Sequence, residues 1–272
     1  MERTRRSNEG RLREADEAGD RQFVTALARG LDVLRCFSPD RPELGTREIA
    51  DLLGLPQPTV WRLCHTLKVM GYLVAGSRGG RLRVGAPVLA LGLASLVELQ
   101  FTEIIRPHFE AFVSRFPAAV ILAERHQLTL VYVLRCEGPG PFVMKRPVGS
   151  SISLYRTASG HACLAGMSEE DRVAVLGQIR AREPEDWPAI ERRIEEAREQ
   201  IATRGFVTSL GVTEPAVSYA AVPVVPPGSG RAFAILCGGP SFSLAPEVFD
   251  AEIGPGLVSL ARAVAAAIPT SR

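Results

Sequence analysis

Between Pro56 and Arg83 the chain carries no aspartate or glutamate, yet Arg62, Lys68, Arg78, Arg81 and Arg83 fall in that window. Cations kept clear of carboxylates suit a polyanion, because every acid there would repel a phosphate. Bond-making chemistry is harder to find. The chain has no GxSxG, no P-loop, no GxGxxG after a strand and no HExxH. Its histidines stand at 65, 108, 126 and 161, without clustering. His161 and Cys163 are neighbours in "GHACLAGM". Residues two apart on a helix do not face each other, however, and Cys163 sits among Ala and Leu as a core residue would. The five cysteines are widely spread with no CxxC pair, which makes a poor disulfide framework and a poor zinc site. The residues therefore predict a binding protein with no catalytic centre, no metal and no cofactor.

The elements that position the cations follow from composition and periodicity. With 272 residues, 46% of them apolar and 23% charged, the chain has the make-up of a globular protein of about two domains. A charged start and a longest apolar run broken by Pro and Gly exclude a signal peptide and a membrane span, so a cytoplasmic protein is expected. Residues 1–21 carry six Arg and six acids with almost no large aliphatics, which predicts a disordered tail. Residues 22–85 carry nine basic against five acidic residues, and residues 86–272 carry 17 against 19. A small basic module thus precedes a larger, slightly acidic one.

Within 22–85, Val24, Leu27, Leu31 and Leu34 recur at helical spacing, so residues 23–37 read as a helix burying that stripe. "SPDRPELG" reads as turn, Thr46 as an N-cap, and Ile49, Leu52 and Leu53 as the buried side of a short helix ended by Gly54. A further helix buries Val60, Leu63, Cys64 and Leu67 and stops at Gly71. Two short helices joined by a tight turn are a helix-turn-helix. Arg62 and His65 point away from the buried stripe, Thr59 and Trp61 flank it, and Gln57 lies at the helix start that usually reaches base edges. "YLVAGSRGGRLRVG" then reads as a β-hairpin wing bringing Arg78, Arg81 and Arg83 to phosphates or the minor groove. These eight residues are the expected contacts to double-stranded DNA.

Residues 86–100 are apolar almost all round, which predicts a linker helix covered by its copy in a second subunit, a homodimer matched to a palindromic operator; the alternative is cover from its own chain alone. From 101 to 272 the pattern gives a helix at 101–116, a hairpin around "RHQ", a possible strand in "PFVMKRPVG", a small-residue helix starting near Thr157, and a helix capped by Ser168. A charged helix at 189–205, strands in "AVSYAAVPVVP" and "RAFAILCGG", and a helix at about 246–268 complete it. Strands and helices mix without βαβ alternation, so an α+β domain around an antiparallel sheet is expected.

In order and at suitable separations, "ARGLDVLRCF", "TREIADLLGLPQPTVWRLCHTLKVMGYL", "LYRTASGHACLA" and "SYAAVPV" resemble the IclR family of bacterial transcriptional regulators, over about residues 22–265. The resemblance implies an N-terminal winged helix-turn-helix, a dimerising linker helix, a C-terminal GAF-like effector domain, and often a dimer of dimers. It implies that a small carboxylate effector sits against the helix start at Thr157, Ala158, Ser159 and Gly160, where free N–H groups and the dipole favour an anion. The other implied walls are Ser209 and Leu210, Tyr219, Leu236 and Gly238. The chain departs from the family pattern at Arg156, where a small residue is usual; its guanidinium is expected to pair the carboxylate, the alternative being a surface arginine or a salt bridge with a neighbouring acid. It also reads "SLGV" in place of an acidic loop, Ala216 in place of Gly, and "ILCGG" in place of a serine-bearing strand. A pocket bordered by Leu210, Tyr219, Leu236 and Cys237 favours an effector with an apolar or aromatic body. The alternatives are a degenerate pocket that binds nothing and an enzyme using the same pocket.

Overall fold

The computed structural model describes residues 22–98, 101–141, 146–214, 216–228 and 230–268. The expected tail at 1–21 therefore lies outside the described residues. The chain divides into two compact units, meeting at residues 97 and 98.

In the first unit, α1 (Thr25–Arg35), α2 (Thr46–Leu53) and α3 (Gln57–Val69) pack with a three-stranded antiparallel sheet of order β1-β3-β2. Strands β2 (Leu73–Ala75) and β3 (Arg81–Val84) form the hairpin. The short β1 (Glu43–Gly45), expected to be turn, adds to its edge by pairing Leu44 with Leu82. Val33, Leu44, Ile49, Val60, Cys64, Leu73 and Leu82 close one small core. Gly45, not Thr46, is the N-cap of α2, and the Glu48 carboxylate accepts its N–H at 2.7 Å. Gly54 takes the left-handed conformation, φ 65°, that ends α2.

Helix α1 corrects the sequence reading. It buries Asp32 and Val33, while Val24, Leu27 and Leu31 remain 59%, 64% and 46% exposed. The core of this unit lies on the more polar side of the helix, and of the expected stripe only Leu34 packs against it while the other three face outward. After β3 comes α4 (Pro87–Glu98), on which Leu89 and Leu91 are exposed.

The second unit is a six-stranded antiparallel sheet between helices, in the order β6-β5-β4-β9-β8-β7. Its strands are β4 (Ala119–His126), β5 (Thr129–Glu137), β6 (Ser151–Ser153), β7 (Val207–Glu214), β8 (Val217–Val224) and β9 (Phe233–Pro240). Residues 142–145 of the strand expected in "PFVMKRPVG" lie outside the described residues. The rest of it is not strand; the edge position is taken by β6. One face of the sheet meets α5 (Phe101–Val113) and α10 (Gly254–Ala267), joined in one cluster around Phe109, Phe233, Ile235 and Leu257. A short helix α9 (Pro246–Val248) and a π-turn at Phe249–Ile253 lead into α10. The opposite face meets α6 (Ala158–Gly166), α7 (Glu169–Arg182) and α8 (Trp187–Arg204) around Ile121, Ala162, Leu164, Ile194 and Leu236. Ser168 caps α7 as expected, its Oγ accepting the Asp171 N–H at 3.2 Å.

Among the described residues no helix is long and apolar enough to cross a membrane. Nor does any group of three or more His, Cys, Asp or Glu side chains there suit a metal ion.

Candidate functional site

Helix α3 buries Val60 and Cys64 and half-buries Leu63 and Leu67, which turns the rest of its surface outward. Gln57 is its first residue and is exposed, Thr59 is half-buried, and Trp61, Arg62 and His65 are exposed. The Trp61 and His65 rings stack, with centroids 5.4 Å apart and planes 11° from parallel. The two rings come from successive turns, i and i+4, of the same helix.

The wing turn is held from below. The Glu43 carboxylate accepts the Ser77 N–H at 2.8 Å and the Ser77 hydroxyl at 3.0 Å. These bonds, the backbone one first, hold the Glu43 carboxyl below the usual carboxylate range. Gly76 passes so close that a Cβ there would lie 2.8 Å from Glu43 Oε2. Glu48 is likewise lowered, by the Gly45 N–H first and by Arg81 next. Arg81 donates to the Glu43 carbonyl at 2.6 Å and to Glu48 Oε1 at 3.0 Å, so it braces the wing within the domain. That departs from the expected free phosphate contact. Arg62, Arg78 and Arg83 are exposed and make no ion pair among the described residues. A window without acids in sequence is thus not without them in space, because β1 and α2 bring Glu43 and Glu48 to it.

In the second unit the sheet register sorts the expected effector residues. Residues directly opposite in antiparallel pairs share a face. Ser209 pairs with Tyr219, Tyr219 with Gly238, and Gly238 with Ala119, one row on the α6 side. Leu236, between Ala221 and Ile121, belongs to the next row on that side. Tyr219 lies across Gly238, where a Cβ would stand 2.2 Å from its ring. Cys237 is fully buried on the other face, and Leu210, opposite Ser218, is turned the same way and 40% exposed. The strand alternation therefore removes Leu210 and Cys237 from the expected pocket border.

The start of α6 is capped by Thr157, whose Oγ1 accepts the Gly160 N–H at 3.2 Å and donates to the Ser153 carbonyl at 2.7 Å. Ser159 is buried beside it, and the N–H groups of Ala158 and Ser159 have no acceptor among the described residues. Gly160 presses on Leu154, whose carbonyl oxygen would stand 1.9 Å from an added Cβ. Arg156 turns away from this helix start. Its Nη2 donates to Glu183 and Asp186, both at 2.8 Å, and its guanidinium lies 5.4 Å from the Tyr155 ring centroid. The Tyr155 hydroxyl also donates to Glu183, at 2.6 Å. Arg156 thus clasps the α7–α8 connection.

Arg135, not among the expected site residues, also lies on the α6 face of the sheet. It lies opposite Ile121, is largely covered, and donates to the Glu137 carboxylate and the Arg146 carbonyl. It shares the α6 face because β5 bulges beside the Leu122–Ala123 register shift, leaving Val133 unpaired. No local sequence signal marks that bulge. Cys163 and Cys237 are sealed in the core, and burial pushes both thiols up to about 12, far from a nucleophilic thiolate. A groove of about 670 Å³ runs between α6–α7 and α8, lined by opposed charges such as Arg172, Arg192, Glu195 and Glu199; none of the expected effector residues lines it.

A winged helix-turn-helix with an exposed basic helix, joined to an antiparallel α+β domain, is the architecture of a DNA-binding transcriptional regulator. Residues 26–76 match the IclR helix-turn-helix domain, and residues 93–266 match the bacterial transcriptional regulator IclR C-terminal domain. The chain belongs to the IclR family. It is 33% identical over 252 residues to the HTH-type transcriptional regulator TsaQ1/TsaQ2 of Comamonas testosteroni, covering 92% of this chain and 90% of that protein. The crystal structure of an IclR family transcriptional regulator from Brucella abortus superposes with a TM-score of 0.77 at 41% identity, over 93% of this chain and 96% of that one. An IclR homologue from Microbacterium hydrocarbonoxydans, complexed with 4-hydroxybenzoate, shares the fold with a TM-score of 0.67 at 22% identity, over 91% and 100%.

Proposed function

We propose that this regulator is ligand-responsive and sequence-specific, binding a palindromic operator as a homodimer or dimer of dimers and catalysing no reaction. The observation that carries the reading is the outward surface of α3, with Gln57, Trp61, Arg62 and His65 exposed and no acid on the helix. Arg78 and Arg83 on the wing supply phosphate contacts beside it. Exposed Val24 just before α1 and Leu27 and Leu31 on it, with Leu89 and Leu91 on α4, supply apolar surface for a second copy.

The effector is a small carboxylate with an apolar or aromatic body. Its anchors are the N–H groups of Ala158 and Ser159 at the start of α6, with Ser209, Tyr219 and Leu236 along the same sheet face. Arg156 has no part in this proposal. A second reading, that the face binds nothing, draws on the Tyr219 ring lying across Gly238 and on the burial of Leu236.

Selection of sheared genomic DNA by the purified protein at near-physiological salt, followed by sequencing, tests the first part. Recovery of paired half-sites is the expected result; uniform recovery would leave only charge-driven binding and refute sequence-specific reading. Repeating the selection with 4-hydroxybenzoate and other aromatic acids tests the second. A shift in affinity supports the effector site, and indifference to the whole series favours the closed face.

A further inference from the structure

The side chain on α3 whose position has no structural purpose within the domain is Trp61. It is 57% exposed, and its indole N–H has no hydrogen-bond partner among the described residues. A large apolar ring left in water on a short helix is unusual, since burying it would contribute favourably. Its only ring contact among the described residues is the parallel stack on His65, which is exposed as well. The stack holds the indole against the imidazole of the next turn. Trp61 is the fifth residue of α3, within the first turns that reach base edges in this motif.

We propose that the Trp61–His65 pair reads a thymine in each half-site. This rests on the sequence-specific DNA reading above. The indole carries no charge, releases no counterions and so makes a poor phosphate anchor. In the major groove the apolar group on a base edge is the 5-methyl of thymine, which lies beside the O4 acceptor. The indole matches both features: its ring surface covers the methyl, and its single N–H donates to O4. Arg62, about 100° further round the helix, addresses the neighbouring base or phosphate.

The test uses operator duplexes recovered by selection, with each thymine replaced singly by deoxyuridine, which removes only the 5-methyl. At one thymine per half-site the replacement weakens binding of the full-length wild-type protein about fourfold, the effect of one buried methyl. The same replacement leaves Trp61→Ala binding unchanged, whereas Trp61→Phe keeps part of the discrimination. The salt dependence of Trp61→Ala matches that of the wild type, because no charge has been removed. Wild-type binding indifferent to deoxyuridine at every position, or discrimination that persists in Trp61→Ala, overturns the inference while leaving a sequence-specific regulator. Failure to recover any motif overturns the DNA reading beneath it, and this inference with it.

Discussion

Glu48 accepts a hydrogen bond from the Arg81 guanidinium at 3.0 Å while also accepting the Gly45 N–H at 2.7 Å, so one carboxylate joins the wing to the start of α2. Arg81 thereby differs from Arg78 and Arg83, although all three look alike in sequence. Arg78→Ala and Arg83→Ala should each flatten the dependence of log affinity on log salt by about 1.8, one phosphate contact being lost from each copy of the dimer. Arg81→Ala should change that slope less. It should instead lower the stability of the DNA-binding unit slightly, because both partners are about a third or more exposed. Salt-titrated binding of the three variants separates the cases, and an Arg81→Ala slope change equal to the others would refute the brace.

Glu43 and Glu48 both have depressed carboxyl pKa values, caused first by the Ser77 and Gly45 N–H groups. A depressed folded value means the stabilisation is fully present above the unfolded carboxylate pKa and is lost as pH falls through the folded one. The wing and the start of α2 should therefore loosen only in acid, below the ordinary carboxylate range. Melting followed by Trp61 fluorescence in a Trp187→Phe background should show this acid loss, reduced in Glu43→Gln. Equal pH profiles in the two proteins would remove Glu43 from the effect.

Two glycines on the effector side should respond differently to alanine. At Gly160 the added Cβ meets the Leu154 carbonyl at 1.9 Å, a backbone contact that cannot yield without moving α6. Gly160→Ala should cost about 3 kcal/mol or more of domain stability. At Gly238 the obstacle is the Tyr219 ring, a side chain that can swing aside. Gly238→Ala should keep the fold and alter the ligand response. Urea unfolding with ligand titration distinguishes them.

Arg156→Ala should weaken the effector unit by about 1 kcal/mol, a modest figure because Arg156 is about one third exposed. The ligand response of the folded variant should survive. Glu183→Gln should have a similar or larger effect, since Glu183 also accepts the Tyr155 hydroxyl. Complete loss of response in a stable Arg156→Ala protein would return Arg156 to the effector site.

Leu27→Glu and Leu31→Glu should raise the dimer dissociation constant about tenfold or more, since each removes an apolar side chain from both copies. Sedimentation at a series of concentrations checks this. Unchanged association would place the subunit contact elsewhere and leave the outward stripe of α1 without a partner.

Much of this molecule was legible because its signals are local. The buried set Val60, Leu63, Cys64 and Leu67 set the orientation of α3, and that orientation placed Arg62 and His65 outward before any fold was known. Thr157 and Ser168 cap their helices because a side-chain oxygen needs only the next turn to find its N–H. The α+β class followed from the same periodicities.

What depended on distant partners was not legible. The stripe on α1 has the spacing of a buried face, yet spacing does not say whether its cover comes from the same chain. Arg81 and Arg156 are surface cations in sequence, and only folding brings Glu48 and Glu183 to them from 33 and 27 residues away. In β5, Leu130, Tyr132, Leu134 and Cys136 alternate without a break, as for one face. The bulge at Val133 sends the first two into the core under α6 and the last two into the core under α5. Side-chain periodicity along the chain thus determined which residues would be inward or outward on each element. Pairing register and contact order in space decided which of two cores, and which charged partner, each residue met, because those depend on backbone hydrogen bonds between strands that the sequence does not place side by side.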